Sequence, residues 1–155
     1  MSQSKITAEN LQTFQVFEGL SPEDLNRLAA ILKYEKYPQG TQLILQEDSD
    51  SDVFFILHGR VRVEITRVDG RATETLTTLS GGETVGELAL ARVGRRTASA
   101  ITQMESDIFS CDASAMNSLF DSHPKIGMQV FRNLTRVLAS RLADTNMMLR
   151  NATRA

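Results

Sequence analysis

Apolar positions along the 155-residue chain change their period twice. Near the amino terminus Leu25, Leu28, Ala29 and Leu32 recur at helical spacing, which marks one buried helix face. Ser21 stands before Pro22, with Asp24 three residues after the serine. An N-cap, a first-turn proline and a capping-box carboxylate in that order predict the start of a short helix. From about Tyr34 the period falls to two. The runs TQLILQ, DVFFILHG, RVRVEITRV, ATETLTTL, TASAITQ and SDIFSCD are rich in β-branched and aromatic residues, and about eight short strands fit this region. Asp69-Gly70 between two runs is a two-residue hairpin signal, and Pro38-Gln39-Gly40 and Ser80-Gly81-Gly82 punctuate others. After Asp112 the helical period returns. ASAMNSLFD predicts a short helix reaching His123-Pro124, and a long helix follows from about Pro124 to Arg150.

Helix, strands, helix, helix is an α+β order, and it predicts a jelly-roll-like β-roll of about eight strands flanked by an N-terminal helix and two C-terminal helices. No repeat or low-complexity linker divides the sequence, so residues 1–155 read as a single domain with a core over about 17–149. Composition agrees: 41% hydrophobic and 23% charged residues are ordinary for a globular fold. At this length folding buries roughly 70% of the unfolded surface, enough for a core without staples. Lone Cys111 builds neither a disulfide framework nor a zinc cluster, and His58 and His123 form no metal-ligating pattern. With no nucleophile motif either, the expectation is a protein without enzymatic activity or a bound cofactor. MSQSKITAEN lacks the apolar core of a signal peptide, and Val53 to Leu57 is too short to cross a bilayer. A cytoplasmic protein with no membrane partner is expected.

The net charge of −2 hides an asymmetry. Residues 1–123 carry 11 Lys/Arg against 18 Asp/Glu, whereas residues 124–155 carry 6 against 1. The basic residues of the tail are spaced as on a helix face rather than blocked together, which favours a solvated face over a nucleic-acid tail. Few residues follow Arg150, so a DNA-reading helix-turn-helix beyond it is not expected, nor is sequence-specific DNA binding.

The chemistry is concentrated in GGETVGELALARVGRRTASA. After Gly86, the run Glu87-Leu88-Ala89-Leu90 can form one helical turn whose free N–H groups favour an anion. Arg96, expected to open the next strand, can bring a planar five-donor fork to the same place. A carboxylate and a guanidinium facing one pocket suit a ligand with a phosphate and a sugar hydroxyl; a structural Glu87–Arg96 ion pair is the alternative. The acidic run EDSDSD resembles a calcium loop only superficially, because Val53 stands where the turn needs glycine and Gly59 where a bidentate glutamate belongs.

VGELALARVGRRTASA closely resembles the phosphate-binding cassette of cyclic-nucleotide-binding domains, the modules of the catabolite activator protein, of protein kinase A and G regulatory regions and of nucleotide-gated channels. Gly86, Glu87, Leu88, Ala89, Leu90, Arg96 and Ala98 carry the match, supported by FEGLSPEDLNRLA, by HGRVRV with Gly59 and by NLTRVLASRL. The resemblance implies cyclic AMP or cyclic GMP as ligand. It puts Arg96 on the cyclic phosphate, Glu87 on the ribose 2′-hydroxyl and the Glu87 to Ala89 amides on phosphate oxygens. It also implies that Thr97 touches the nucleotide, a threonine there being associated with cyclic GMP. Four positions depart from the pattern: Val85 replaces an aromatic, Arg95 a proline, and Glu47 and Asp50 a glycine and a small residue. The competing reading is a nucleotide-free scaffold of the same fold, used for protein contacts.

In the long terminal helix Ile126, Val130, Phe131, Leu134, Val137, Leu138 and Leu149 cluster on one face, and Lys125, Arg132, Arg136 and Arg150 on another. Arg141 falls near the middle of the apolar face, where an unpaired charge is costly. The resemblance makes this helix a lid, with Arg141 stacking on the purine. A salt bridge to a body carboxylate, or a polar position in a dimer seam, are the alternatives. A protein partner or a homodimer through this helix is the expected output.

Overall fold

The computed structural model describes residues 5–152. Eight strands form two antiparallel four-stranded sheets. They are β1 (Lys33–Tyr37), β2 (Gln42–Ile44), β3 (Asp52–His58), β4 (Arg60–Thr66), β5 (Thr73–Ser80), β6 (Thr84–Val85), β7 (Ser99–Thr102) and β8 (Ser106–Asp112). The orders β1-β8-β3-β6 and β2-β7-β4-β5 interleave distant strands, as a roll requires. Helices α1 (Ala8–Leu11) and α2 (Pro22–Ala29) precede the roll, and α3 (Ala113–Ser122) and α4 (Pro124–Ala152) follow it. The α+β roll and its strand number match the sequence expectation. Two details correct it. The amino-terminal part holds two helices rather than one, because Thr7 caps α1 by accepting from the Asn10 amide at 3.1 Å. The β4–β5 turn spans Val68 to Arg71 rather than two residues, since Arg67 still pairs with Ala72 and Asp69 Oδ1 accepts from the Arg71 amide.

The apolar run in β3 is continuous because both of its faces are covered. Val53, Phe55 and Leu57 join the core shared with the helices, whereas Phe54 and Ile56 point into the roll with Ile44, Val61, Leu79 and Ala100. Phe14, Phe17, Phe55 and Phe109 fill the helix-side core, with Phe17 stacked on Phe55 at 5.1 Å between centroids. Ser21 Oγ accepts from the Asp24 amide at 3.2 Å and so starts α2 at the expected place. Buried Asn133 of α4 donates to the Val16 and Glu18 carbonyls at 3.0 and 2.8 Å, tying the long helix to the amino-terminal segment.

The first half of α4 is packed into the helix-side core, and the second half touches the body through Arg141. Ile126, Val130 and Leu134 are buried; Phe131, 36% exposed, packs edge-on against buried Phe120 at 5.5 Å between centroids and sits at the margin of that face, whereas Leu149, 65% exposed, leaves it. The helix-side core reaches only partway along α4, which rises 1.5 Å per residue, so Leu149 lies beyond it. No described helix is long and apolar enough to cross a membrane.

Candidate functional site

Backbone sterics fix the turn that organises the site. Gly86 has φ +82°, and a Cβ there would lie 2.8 Å from the Asp52 carbonyl oxygen and 2.9 Å from Arg96 Nη1. Only glycine fits such a position. The chain then makes a 3-10 turn over Glu87–Leu90, held to α3 by Asn117 Nδ2 donating to the Leu90 carbonyl at 3.2 Å.

Arg96 lies ahead of β7 rather than opening it, because its backbone is paired elsewhere. Its N–H donates to the Asp48 carbonyl at 2.7 Å and its carbonyl accepts from the Glu47 amide at 2.9 Å. This pairing stitches the acidic 47–52 loop to the cassette, and it holds Glu47 at φ +76°, where a glycine would be unstrained. The Arg96 side chain is only 7% exposed. Its Nε and Nη2 form a fork on the Asp50 carboxylate at 3.1 and 2.9 Å, Nη2 also reaches the Asp52 carbonyl at 2.6 Å, and Nη1 reaches the Gly86 carbonyl at 3.2 Å.

Glu87, 6% exposed, pairs with Arg141 of α4, whose Nη2 also donates to the Thr84 carbonyl at 2.7 Å. The Glu87–Arg96 ion pair weighed from the sequence is therefore not formed; each charge has another partner. For Arg141 the structure supplies the body carboxylate that a charge on this face requires.

All seven residues singled out from the sequence, Gly86 to Ala89, Arg96, Thr97 and Arg141, line one cavity of about 450 Å³, a size suited to a small ligand. Sequence reasoning missed its other walls. Val63, Leu76 and Leu79 floor it from the roll, and Leu138, Leu142, Asp144, Thr145 and Met148 of α4 cover it. The α4 residues recur with Arg141 at helical spacing, a signal legible in principle. Asp50 also lines the cavity, and its role was invisible because a loop residue's partner lies far along the chain.

A roll whose end holds a buried arginine and a buried glutamate facing one cavity beneath a helix has the geometry of a small-ligand pocket. The family model described as cyclic nucleotide-binding domain matches residues 34–123. The chain belongs to the cyclic-nucleotide-binding domain family. It is 28% identical over 134 residues to the cyclic AMP receptor protein of Thermus thermophilus, covering 86% of this chain and 60% of that protein. It is 33% identical over 132 residues to a CRP-like cAMP-activated global transcriptional regulator of Mycobacterium tuberculosis, covering 84% and 56%. The chain thus spans less than two thirds of these relatives. Its fold matches the crystal structure of a cyclic nucleotide-binding domain from Methylobacillus flagellatus with TM-score 0.80 at 22% identity, covering 96% of this chain and 83% of that one.

Proposed function

We propose that the chain is a cytoplasmic receptor for a purine 3′,5′-cyclic mononucleotide that couples occupancy to the position of α4. The observation that carries this reading is the cavity itself, in which buried Arg96 and buried Glu87 face the same space beneath α4. Arg96 takes the cyclic phosphate, assisted by the amides of the Glu87–Ala89 turn, and Glu87 accepts from the ribose hydroxyl. Thr97, exposed at the cavity wall, tilts base preference by one neutral hydrogen bond, at most about tenfold. Arg141 links ligand to helix: from α4 it holds Glu87 and the Thr84 carbonyl, and in this reading it stacks its planar guanidinium on the purine. The exposed apolar stripe of Met128, Phe131, Leu142 and Leu149 on α4 is where a protein partner or a second copy reads that movement.

One observation favours the scaffold alternative: both charges of the site already hold internal partners, Arg96 on Asp50 and Glu87 on Arg141. Calorimetric titration with cyclic AMP and cyclic GMP separates the two readings, since a scaffold gives no saturable heat. For the coupling, ligand is expected to change hydrogen exchange in the 138–152 amides of α4, and an unchanged exchange pattern at saturation contradicts it.

A further inference from the structure

Arg96 has five N–H donors, and four of them are spent within the chain. The Nε/Nη2 edge, the one best shaped for a bidentate anion, is occupied by both oxygens of Asp50. The Asp52 and Gly86 carbonyls take a second hydrogen of Nη2 and one of Nη1. One Nη1 hydrogen is left. Asp50 is 44% exposed, lines the same cavity and stands where the family resemblance places a small residue. The phosphate end of the cavity therefore carries one buried cation already neutralised by a carboxylate. Arg92 and Arg95 also line the cavity, but both are exposed, so water and salt screen them.

We propose that Asp50 is a specificity-determining residue: sharing Arg96 with the ligand's phosphate, it admits a singly charged phosphodiester and rejects a doubly charged phosphomonoester. The proposal rests on the cyclic-nucleotide reading and adds what that reading lacks, a reason for the site to ignore linear nucleotides. A cyclic phosphodiester carries one negative charge, whereas a nucleoside 5′-monophosphate carries nearly two at neutral pH. Two anions on one guanidinium lie about 6 Å apart, and in a half-solvated site each extra unit of ligand charge then costs about tenfold in affinity. The Ala89 amide is spent on the Gly86 carbonyl at 3.3 Å, so the retained Nη1 hydrogen and the Glu87 and Leu88 amides are the donors for a monoanion; the dianion meets the same donors and twice the repulsion.

The test is calorimetry on the full chain at fixed salt with three ligands: cyclic AMP, 5′-AMP and the methyl ester of 5′-AMP, a linear phosphodiester with one charge. In Asp50→Asn, which keeps the shape and removes the charge, 5′-AMP is expected to gain about tenfold more affinity than either singly charged ligand, so that the cyclic-over-linear ratio falls. Asp50→Ser is expected to do the same if the asparagine variant folds poorly, with folding checked by circular dichroism. An unchanged ratio in both variants overturns the proposal. So does an equal loss for all three ligands, which reduces Asp50 to a group that positions Arg96. Failure of the unmodified chain to bind cyclic AMP or cyclic GMP overturns the binding reading first, and the assignment of Asp50 with it.

Discussion

Arg141→Ala cuts the only described ion pair between α4 and the cassette, and its cost follows from the geometry. Glu87 is 6% and Arg141 25% exposed on their side chains. At an effective dielectric near 20 and about 4 Å, two unit charges attract by roughly 4 kcal/mol. Desolvation of the pair returns part of that. The substitution also strands the Glu87 carboxylate in the cavity wall and removes the donor to the Thr84 carbonyl, which adds about 1 kcal/mol of unsatisfied acceptor. Because Arg141 keeps one side to water, a net loss of about 2 kcal/mol is expected, or about 4–8 °C in Tm for a domain of this size. Urea denaturation of Arg141→Ala, Glu87→Gln and the double variant measures both the loss and the pair's share of it. A coupling of about 1 kcal/mol is expected in that cycle. A loss under about 0.5 kcal/mol with coupling near zero refutes the reasoning, and with it the idea that α4 is latched to the cassette.

Three further outcomes are expected. Glu47→Gly relieves the positive φ and removes only an exposed Arg95 contact of 4.0 Å, so it is expected to stabilise the fold by about 1 kcal/mol in urea titration; destabilisation contradicts this. Burial first, then the Asp52 and Asp112 carboxylates, push the Cys111 thiol up to about 12, so thiol reagents at pH 8 are expected to label it only at the rate of unfolding; rapid labelling of native protein contradicts this. Hydrogen bonds from the Ser114 amide and the Ser51 hydroxyl lower the Asp112 pKa below its ordinary 3.8. Its stabilisation is therefore full above that value and lost as pH falls through the lowered one, so Asp112→Asn is expected to flatten the acid limb of a stability profile, and an unchanged limb contradicts this.

Local chemistry made much of the molecule legible. Ser21 and Pro22 announced α2, the two-residue period announced the strands, and Gly86, Glu87 and Arg96 announced a turn and a fork that the structure places around one cavity. What stayed hidden was set by distance along the chain. Nothing near Arg96 in sequence says that Asp50 will fill its fork, because that contact depends on how the 47–52 loop is stitched to the cassette by backbone bonds. Nothing near Arg141 selects Glu87 over the other body carboxylates. Leu149 fits the apolar face of α4 by periodicity, yet periodicity carries no information on where the core ends. The strand expected to open at Arg96 begins at Ser99 for a related reason: the backbone partners of Arg96 are a loop rather than a neighbouring strand.

Titration of the purified chain with cyclic AMP and cyclic GMP, beside Arg96→Ala, addresses the central claim most directly. Both nucleotides are expected to bind at one site per chain, with affinities within about two orders of magnitude of each other. Loss of the charge-assisted partner of a buried phosphate costs on the order of 2 to 5 kcal/mol, so Arg96→Ala is expected to weaken binding by roughly 30-fold to several-thousand-fold while its circular dichroism is retained. Absence of saturable heat from the unmodified chain, or an unchanged affinity in folded Arg96→Ala, contradicts the claim that this cavity is a cyclic-nucleotide receptor built around Arg96.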